Sequence, residues 1–195
     1  MIASPVSSPT RRVPSLRGTS PPRGELSRMD DQLLARFDSL ERRVRELEDH
    51  VALYQLMMGY GPAVDAGESE LAAARWTPSG VYDAQVGAWE GREAIAGMVE
   101  GEMHQNIIRG GSAHVTAMPY VVIDGDRAVA TAYAQLCRAA GDDFRLWRVT
   151  ATRWEFARTV DGWRVQRRVN RLLDGDPEAQ ALLREGVTEG RTRNG

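Results

Sequence analysis

The stretch that decides the fold is residues 114–172, HVTAMPYVVIDGDRAVATAYAQLCRAAGDDFRLWRVTATRWEFARTVDGWRVQRRVNRL. Its apolar and polar residues alternate with period two, which is the pattern of half-buried β-strands. The predicted strands are His114–Ile123, Arg127–Arg138, Phe144–Arg158 and Trp163–Leu172. The turns between them favour tight hairpins and read Asp124-Gly125-Asp126, Ala140-Gly141-Asp142 and Val160-Asp161-Gly162. The stretch therefore predicts an antiparallel meander.

The segments before this meander are mainly helical. From Leu33 to Met58 an apolar residue recurs at alternating steps of four and three, which is an unbroken heptad stripe. The stripe predicts a long helix that begins near Met29, and Pro62 predicts a kink or an end within Val51–Ala66. The elements predicted next are a helical turn over Ser69–Arg75, a strand over Gly80–Gln85, a turn over Gly87–Gly91 and a helix over Arg92–Gln105.

Helices followed by antiparallel strands predict an α+β fold, with the helices packed on one face of a curved sheet. Asp176-Pro177-Glu178 starts a short C-terminal helix. The predicted organisation is a disordered tail over 1–28, a heptad helix extension over 29–50, a globular domain over 51–174, and a C-terminal helix and tail over 175–195. The exposed heptad stripe predicts self-association as a dimer or higher oligomer, or docking on a neighbour.

Composition excludes several classes of protein. Of 195 residues, 42% are hydrophobic and 27% charged, as in globular domains. The single cysteine, Cys137, excludes an internal disulfide framework and is predicted to be a buried strand residue. With no apolar run of about 18 residues and no signal-peptide pattern, we expect a cytoplasmic protein with no membrane contact. The Arg-rich tail lacks interleaved aromatic residues, so no nucleic-acid partner is expected.

Few residues are candidates for chemistry. His114 is one of only three histidines, and it follows a Gly-Gly-Ser turn at the start of a predicted strand. Asp65 lies where a helix ends, and a carboxylate beside an imidazole forms the simplest general-base dyad. No His or Cys pair has metal-ligand spacing, so neither a metal nor another cofactor is predicted. His50 and His104 lie on predicted helices without ligand-spaced partners, and both are interpreted as surface residues.

Seven stretches, taken in order, carry a family resemblance. They are Leu47–Tyr54, Tyr60–Glu68, Trp76–Asp83, Trp89–Ile95, His114, Ile123–Ala128 and Asp161–Val165. Over about 47–174 the chain resembles the SnoaL-like branch of the nuclear transport factor 2 superfamily. The resemblance implies a cone-shaped barrel of helices packed on a strongly curved, mainly antiparallel sheet.

The resemblance also implies a site. Scytalone dehydratase, the bile-acid 7α-dehydratases and hexachlorocyclohexane dehydrochlorinase use an Asp–His pair for elimination without a cofactor. Their similarity implies that Asp65 and His114 form the dyad, with Tyr60 beside it. Aligned on Asp161-Gly162-Trp163, the resemblance to the dehydrochlorinase places Arg168 at a cavity position that assists the departing group. Tyr82 in the first strand is a comparable candidate, because a phenol can donate a proton to a leaving hydroxyl.

Period two along the last strand predicts two faces. One face carries Arg164, Gln166, Arg168 and Asn170, and the other carries Trp163, Val165, Arg167 and Val169. A guanidinium at Arg168 would hold a developing oxyanion or a substrate carboxylate. A solvated or dimer-facing row of arginines is the alternative interpretation.

The predicted function is that of a cofactor-independent lyase, most simply a dehydratase, acting on a small hydrophobic polycyclic or polyketide-like substrate. His114 is the predicted base, and Asp65 orients it and stabilises the imidazolium. The same dyad would serve an isomerase or a polyketide cyclase, since each reaction begins by removing a proton next to a carbonyl. A non-catalytic ligand-binding or dimerisation module is the alternative from another class.

Overall fold

The computed structural model describes residues 23–191, with side chains described over 27–188. Its helices are α1 (Arg23–Met58), α2 (Tyr60–Asp65), α3 (Ser69–Ala73), α4 (Arg92–Glu100), α5 (Glu102–Arg109) and α6 (Pro177–Arg191). Its strands are β1 (Trp76–Ala84), β2 (Gly87–Glu90), β3 (Ser112–Thr116), β4 (Tyr120–Asp124), β5 (Arg127–Ala140), β6 (Asp143–Thr159) and β7 (Gly162–Leu172). No helix in this part of the chain is long and apolar enough to cross a membrane.

The chain divides into two compact units, with the boundary between Val44 and Arg45. The described part of the first unit is helical throughout, and α1 begins at Arg23 rather than at the predicted Met29. On this stretch Leu33, Phe37, Leu40 and Val44 are about half exposed or more. The second unit contains the part of α1 from Arg45 onward, the sheet and the remaining helices.

The sheet of the second unit follows the order β2-β1-β7-β6-β5-β3, and β4 also pairs with β5. The β1–β7 pair is parallel, whereas the other pairs are antiparallel. The sheet is curved and unclosed, and helices pack on it, which confirms the predicted α+β fold with a mainly antiparallel sheet.

Several element boundaries differ from the predictions. The predicted strand His114–Ile123 is two strands, β3 and β4, separated at residues 117–119 but both paired with β5. Pro119 lies in the gap between the two strands. A proline has no N–H to donate, and in an unpaired gap this loss removes no hydrogen bond of the ladder. The predicted turn Gly87–Gly91 contains β2, which pairs with β1. The predicted helix Arg92–Gln105 is divided into α4 and α5 at Gly101, whose backbone is extended.

The break predicted near Pro62 is present. The long helix ends at Met58 and α2 begins at Tyr60, so Pro62 lies in the first turn of a new helix. A proline is tolerated there because the first N–H groups of a helix have no intrahelical acceptor.

The core of the second unit lies between the inner face of the sheet and the helices that precede it. Its fully buried large side chains include Leu53, Met57, Trp76, Ile95, Trp154, Phe156 and Val165. Burial of a large apolar side chain contributes about 1.5–3 kcal/mol, so this cluster supports the framework on which polar site residues can be held.

One helix lies on the other face of the sheet, contrary to the prediction that the helices share one face. Gly186 of α6 packs directly against Thr131 of β5. Thr131 lies between the core residues Ala130 and Ala132, so its side chain is on the opposite face of the sheet. Arg171 of β7 also donates to Glu178 of α6 at 3.0 Å. The physical reason is that α6 is amphipathic and places small residues against this outer face.

Candidate active site

Asp65 and His114 meet where α2 ends and β3 begins. The Nδ1 atom of His114 lies 2.7 Å from Oδ1 of Asp65. The His114 backbone N–H donates to Oδ2 of Asp65 at 2.6 Å, and the Ser112 hydroxyl donates to Oδ1 at 2.8 Å. The carboxylate therefore accepts three hydrogen bonds from one short strand.

Gly61 makes this approach of α2 to β3 possible. A Cβ atom at Gly61 would overlap the carbonyl oxygen of His114. Because glycine has no side chain, the two backbones come close enough for Asp65, one helical turn later, to reach His114. A β-carbon on any other residue would separate the helix from the strand.

The environment of Asp65 keeps its carboxyl group ionised. Partial burial raises the pKa of Asp65, but the hydrogen bonds from the His114 side chain, the His114 backbone and Ser112 outweigh burial and hold the pKa below its usual value. A carboxylate at a helix C-terminus is disfavoured by the helix dipole, so these donors also compensate for that position. An ionised Asp65 can only accept, so Nδ1 of His114 carries the proton that it donates.

The other ring nitrogen of His114 is then the basic atom. In a neutral imidazole with Nδ1 protonated, Nε2 holds the lone pair. Nε2 of His114 is buried and has no hydrogen-bond partner among the described residues. A buried polar atom without a partner costs stability, and a catalytic role is one of the reasons for which proteins retain such an atom.

His114 lines a small chamber of about 30 Å³ that adjoins a larger cavity of about 340 Å³; the two are named the inner chamber and the outer cavity. Five residues line both spaces: Tyr82, His104, Arg148, Thr150 and Asn170. The outer cavity is mainly apolar, with walls that include Val86, Trp89, Met98, Met103, Ile107 and Leu172. The arrangement places a few polar groups at the end of an apolar cavity, as in sites for small molecules.

Arg168 also lines the inner chamber, and only 3% of it is exposed. Its guanidinium lies over the rings of Tyr60, Tyr82 and Trp154 at 4.4, 4.8 and 4.2 Å from their centroids. The Nε–H donates to the Thr152 hydroxyl at 3.4 Å, while Nη1 has no partner among the described residues. The aromatic faces stabilise the cation, and Nη1 retains donors for an incoming oxygen.

A β-bulge places Arg168 on this inner face. Val165 pairs with Phe156, and Arg167 pairs with the next residue on β6, Glu155, so that Gln166 is the extra residue. The predicted period-two faces are therefore wrong across Gln166. Trp163, Val165, Arg168 and Asn170 share the inner side, since a bulge reverses the alternation of the residues that follow it.

The two candidate tyrosines lie beside Arg168. Burial raises the pKa of Tyr60, so its phenol stays protonated and able to donate. The ring of Tyr60 packs edge-on against Trp76, Tyr82 and Trp154. The Tyr82 hydroxyl accepts a hydrogen bond from Nδ2 of Asn170 at 3.1 Å. The structure thus brings all five predicted site residues together: four line the inner chamber, and Asp65 holds His114.

His104 was predicted to be a surface residue, and this prediction is wrong. Only 7% of His104 is exposed, and its ring stacks on that of His114 with centroids 5.4 Å apart and planes 12° apart. Its Nε2 atom is buried without a partner among the described residues. In the sequence, Ile107 indicates this burial, because it lies three residues after His104 on the same side of the amphipathic helix α5.

Burial, together with the nearby His114 and Arg148, lowers the pKa of His104 to about 4, while Asp65 opposes the shift. His104 is therefore a neutral imidazole at pH 7. A neutral ring can stack on His114 without repelling the positive charge that His114 gains when it accepts a proton.

This shift predicts an acid-sensitive fold. Between pH 6.5 and about 4 the unfolded chain binds a proton at this residue that the folded protein does not bind. The contribution of His104 to the free energy of unfolding should therefore be fully present above pH 6.5. It should be lost as the pH falls toward 4, which lowers the free energy of unfolding by about 3 kcal/mol. Urea unfolding of wild type and His104→Leu at pH 7.5 and 4.5 measures the difference. An equal loss in the two proteins would contradict the expectation.

Within residues 23–191, no group of three or more His, Cys, Asp or Glu side chains is placed to hold a metal ion. The polar groups of the chamber include the imidazole of His114, the phenols of Tyr60 and Tyr82, and the guanidinium of Arg168. This set can remove a proton and stabilise the negative charge that results.

Comparisons with known proteins agree with this architecture. An NTF2-like protein with a cystatin-like fold from Novosphingobium aromaticivorans is 38% identical, with a TM-score of 0.72, over 74% of this chain and 94% of that chain. Aln2 from a Streptomyces species is 17% identical, with a TM-score of 0.59, over 65% and 92%. ActVI-ORFA from Streptomyces coelicolor is 16% identical, with a TM-score of 0.56, over 66% and 98%.

The last two similarities concern the fold alone. A comparison with curated proteins found no match. The model of the SnoaL-like domain family, however, matches residues 45–169, which is most of the chain and includes all five predicted site residues. The chain therefore belongs to the SnoaL-like domain family, within the proteins of NTF2-like fold.

Proposed function

We propose that this protein is a cofactor-independent lyase that removes water from a small hydrophobic β-hydroxy carbonyl compound. The observation that carries the proposal is the Asp65–His114 pair. Asp65 holds the protonated Nδ1 of His114 at 2.7 Å, and the basic Nε2 is buried at a chamber lined by Tyr82 and Arg168. Membership of the SnoaL-like family supports a small-molecule function.

In the proposed first step, Nε2 of His114 takes the proton from the carbon next to the substrate carbonyl. The C–H electron pair moves into the carbonyl to form an enolate, and His114 becomes an imidazolium. Asp65 stabilises that charge, and the free donors of Arg168 stabilise the enolate oxygen. A positioned base of this kind contributes about 10²–10⁴ in rate.

In the second step the enolate electron pair forms the new C=C bond and the β-carbon–oxygen bond breaks. The departing hydroxide needs a proton to leave as water. The Tyr82 hydroxyl, oriented by its hydrogen bond with Asn170, donates that proton in our proposal, and the imidazolium of His114 restores it to the phenol. The cycle returns every group to its starting protonation state, so no cofactor is consumed.

The cavity supports a substrate of limited size. The inner chamber, of about 30 Å³, admits one small group such as a carbonyl or hydroxyl oxygen. The outer cavity has about 340 Å³, whereas an apolar cavity of about 150 Å³ holds one benzene ring. We therefore propose a substrate body of about two rings, held by apolar contacts.

An isomerase or cyclase is the second candidate. It would use the same dyad and the same enolate, and family membership supports this class as well. The two candidates differ only after the first proton is removed, because an isomerase returns a proton to another carbon and a cyclase forms a carbon–carbon bond. Neither requires Tyr82 to protonate a leaving group.

The test is a panel of two-ring β-hydroxy ketones incubated with the protein in deuterium oxide. Mass spectrometry reports loss of water, and deuterium in recovered substrate reports proton removal. Tyr82→Phe should lower loss of water by about 10²-fold and leave deuterium uptake near the wild-type level. The matched control is Tyr133→Phe, because Tyr133 is half exposed and lies outside the cavity.

The outcomes separate the candidates. Deuterium uptake without loss of water, together with a rearranged or cyclised product, would contradict the lyase and support the second candidate. If no compound shows either deuterium uptake or loss of water while native mass spectrometry detects binding, the site is a binding pocket and both enzymatic proposals fail.

A further inference from the structure

The apolar stripe of α1 is exposed along the described helix. Six residues at heptad spacing are each about half exposed or more: Leu33, Phe37, Leu40, Val44, Leu47 and Val51. An exposed helical stripe of this kind is a binding surface rather than a stable arrangement in water. We propose that α1 forms a parallel, in-register, two-stranded coiled coil with α1 of a second copy of this chain.

The residue types at the core positions support two parallel strands. The alternating steps place Phe37, Val44 and Val51 at heptad position a, and Leu33, Leu40 and Leu47 at position d. A β-branched residue at a with leucine at d favours a parallel dimer over higher oligomers. Two of the three a positions are valine, and all three d positions are leucine.

Heptad positions g and e flank the stripe, and the residues at these positions in two copies of α1 are complementary only when the helices are parallel. Position g is occupied by Met29, Arg36 and Arg43, and position e by Leu34, Glu41 and Glu48. In a parallel coiled coil each g residue faces the e residue of the partner's next heptad. The resulting pairs are Met29 with Leu34, Arg36 with Glu41 and Arg43 with Glu48.

Every one of these pairs is favourable: one is apolar, and two join opposite charges. An antiparallel arrangement pairs g with g and e with e; with the six stripe residues aligned, it would bring Arg43 and Glu41 each against its own counterpart, which places like charges together. The pattern also explains why Met29 and Leu34 are exposed although both lie outside the a and d stripe.

The same complementarity identifies the partner. The e residues that match the g residues are on this helix itself, so a second copy of the chain supplies the whole complement. A different partner helix would have to present leucine and two glutamates in the same register. The proposal is independent of the reaction proposed for the cavity.

A cysteine placed on the stripe tests the orientation in the full chain. In a Cys137→Ser background, which removes the only native cysteine, Leu33→Cys should form a disulfide-linked dimer under mild oxidation. A residue at position d faces its own counterpart only in a parallel, in-register pair. The matched control is Ala35→Cys, because position f lies on the opposite side of the helix and should stay unlinked.

An antiparallel pair would give the reverse result. Leu33→Cys alone would stay unlinked, while a mixture of Leu33→Cys and Val51→Cys chains would cross-link to each other, because an antiparallel pair places each d residue against an a residue of the partner. Absence of any cross-link at Leu33, or equal cross-linking at Ala35, overturns the proposal as well.

Charge reversal tests the pairing. Arg36→Glu with Arg43→Glu places glutamate against glutamate, and Glu41→Arg with Glu48→Arg places arginine against arginine. Each double variant alone should associate at least about tenfold more weakly at low salt, and a mixture of the two should recover tight association. Glutamate and arginine have similar helix propensities, so the helix itself is preserved.

Sedimentation at low and high salt measures both effects. The weakening should be smaller at high salt, because exposed charges are screened. Unchanged association of both double variants, or a mixture no tighter than either variant alone, would show that α1 is not paired in this way.

Discussion

Replacing His114 by alanine is expected to lower turnover by about 10²–10⁴-fold on any substrate that the panel identifies, with little change in stability. The variant removes the proposed base, whose Nε2 is buried at the inner chamber, and the contribution of a positioned base has this size. Asp65→Asn should have a comparable effect, since an amide cannot hold the imidazolium as a carboxylate does. Steady-state kinetics and urea unfolding measure the two quantities.

A sharper test of the dyad is whether the losses of turnover in the Asp65 and His114 variants combine. Because Asp65 acts through His114, the variant that carries both changes should be little slower than either single variant. If the fold-losses of turnover in the two single variants multiplied in the double variant, the two residues would act separately. Asp126→Asn is the matched control, because it makes the same chemical change at a side chain that is 81% exposed and bound to Arg158 at the surface. Wild-type turnover in the doubly changed protein would contradict the dyad.

Gly61→Ala is expected to have the second largest effect. The added methyl group would overlap the carbonyl oxygen of His114, so α2 must move away from β3. Overpacking of this kind costs about 1–3 kcal/mol of stability. Since Asp65 moves with α2, the 2.7 Å contact with His114 should lengthen, and a displacement of about 1 Å at a catalytic group lowers turnover by about 10²-fold.

Gly97→Ala provides the comparison. Gly97 also lies within a helix, but a Cβ there would meet nothing within 4 Å, so the change should be neutral or stabilise the protein by up to about 1 kcal/mol. Both variants are measured by urea unfolding and by turnover. If Gly61→Ala matched Gly97→Ala in both measurements, the close approach of α2 to β3 would have no role in holding the dyad.

Much of the fold was predictable because it depends on local patterns. The heptad spacing of α1, the period-two alternation of β5, β6 and β7, and the glycine-containing turns each specify an element over a short stretch of chain. The order of those elements then predicted an α+β fold. The errors fell where one residue changes a local pattern, as at Gly101, which divides α4 from α5, and at Pro119, which lies between β3 and β4.

The candidate site was partly predictable, for a different reason. His114, Asp65 and Tyr60 were found through a family resemblance and because few chemically suitable residues exist in this chain. The structure brings them together through contacts that no spacing rule specifies. The clearest case is Gly61, which reads as an ordinary helix residue in the sequence and yet determines how close α2 comes to β3.

His104 and Arg168 show what only the tertiary structure decided. The sequence alone determined that His104 lies on a helix and that Arg168 lies on a strand. It did not determine that α5 places the ring of His104 against the ring of His114. Nor did it determine that the bulge at Gln166 directs the Arg168 side chain toward the three aromatic rings that surround it. Helix and strand periodicities are properties of a chain with its neighbours along the sequence, whereas burial and ring stacking depend on residues far apart in it. The elements of this protein were therefore determined locally, and the environment of its catalytic candidates by the packing of those elements.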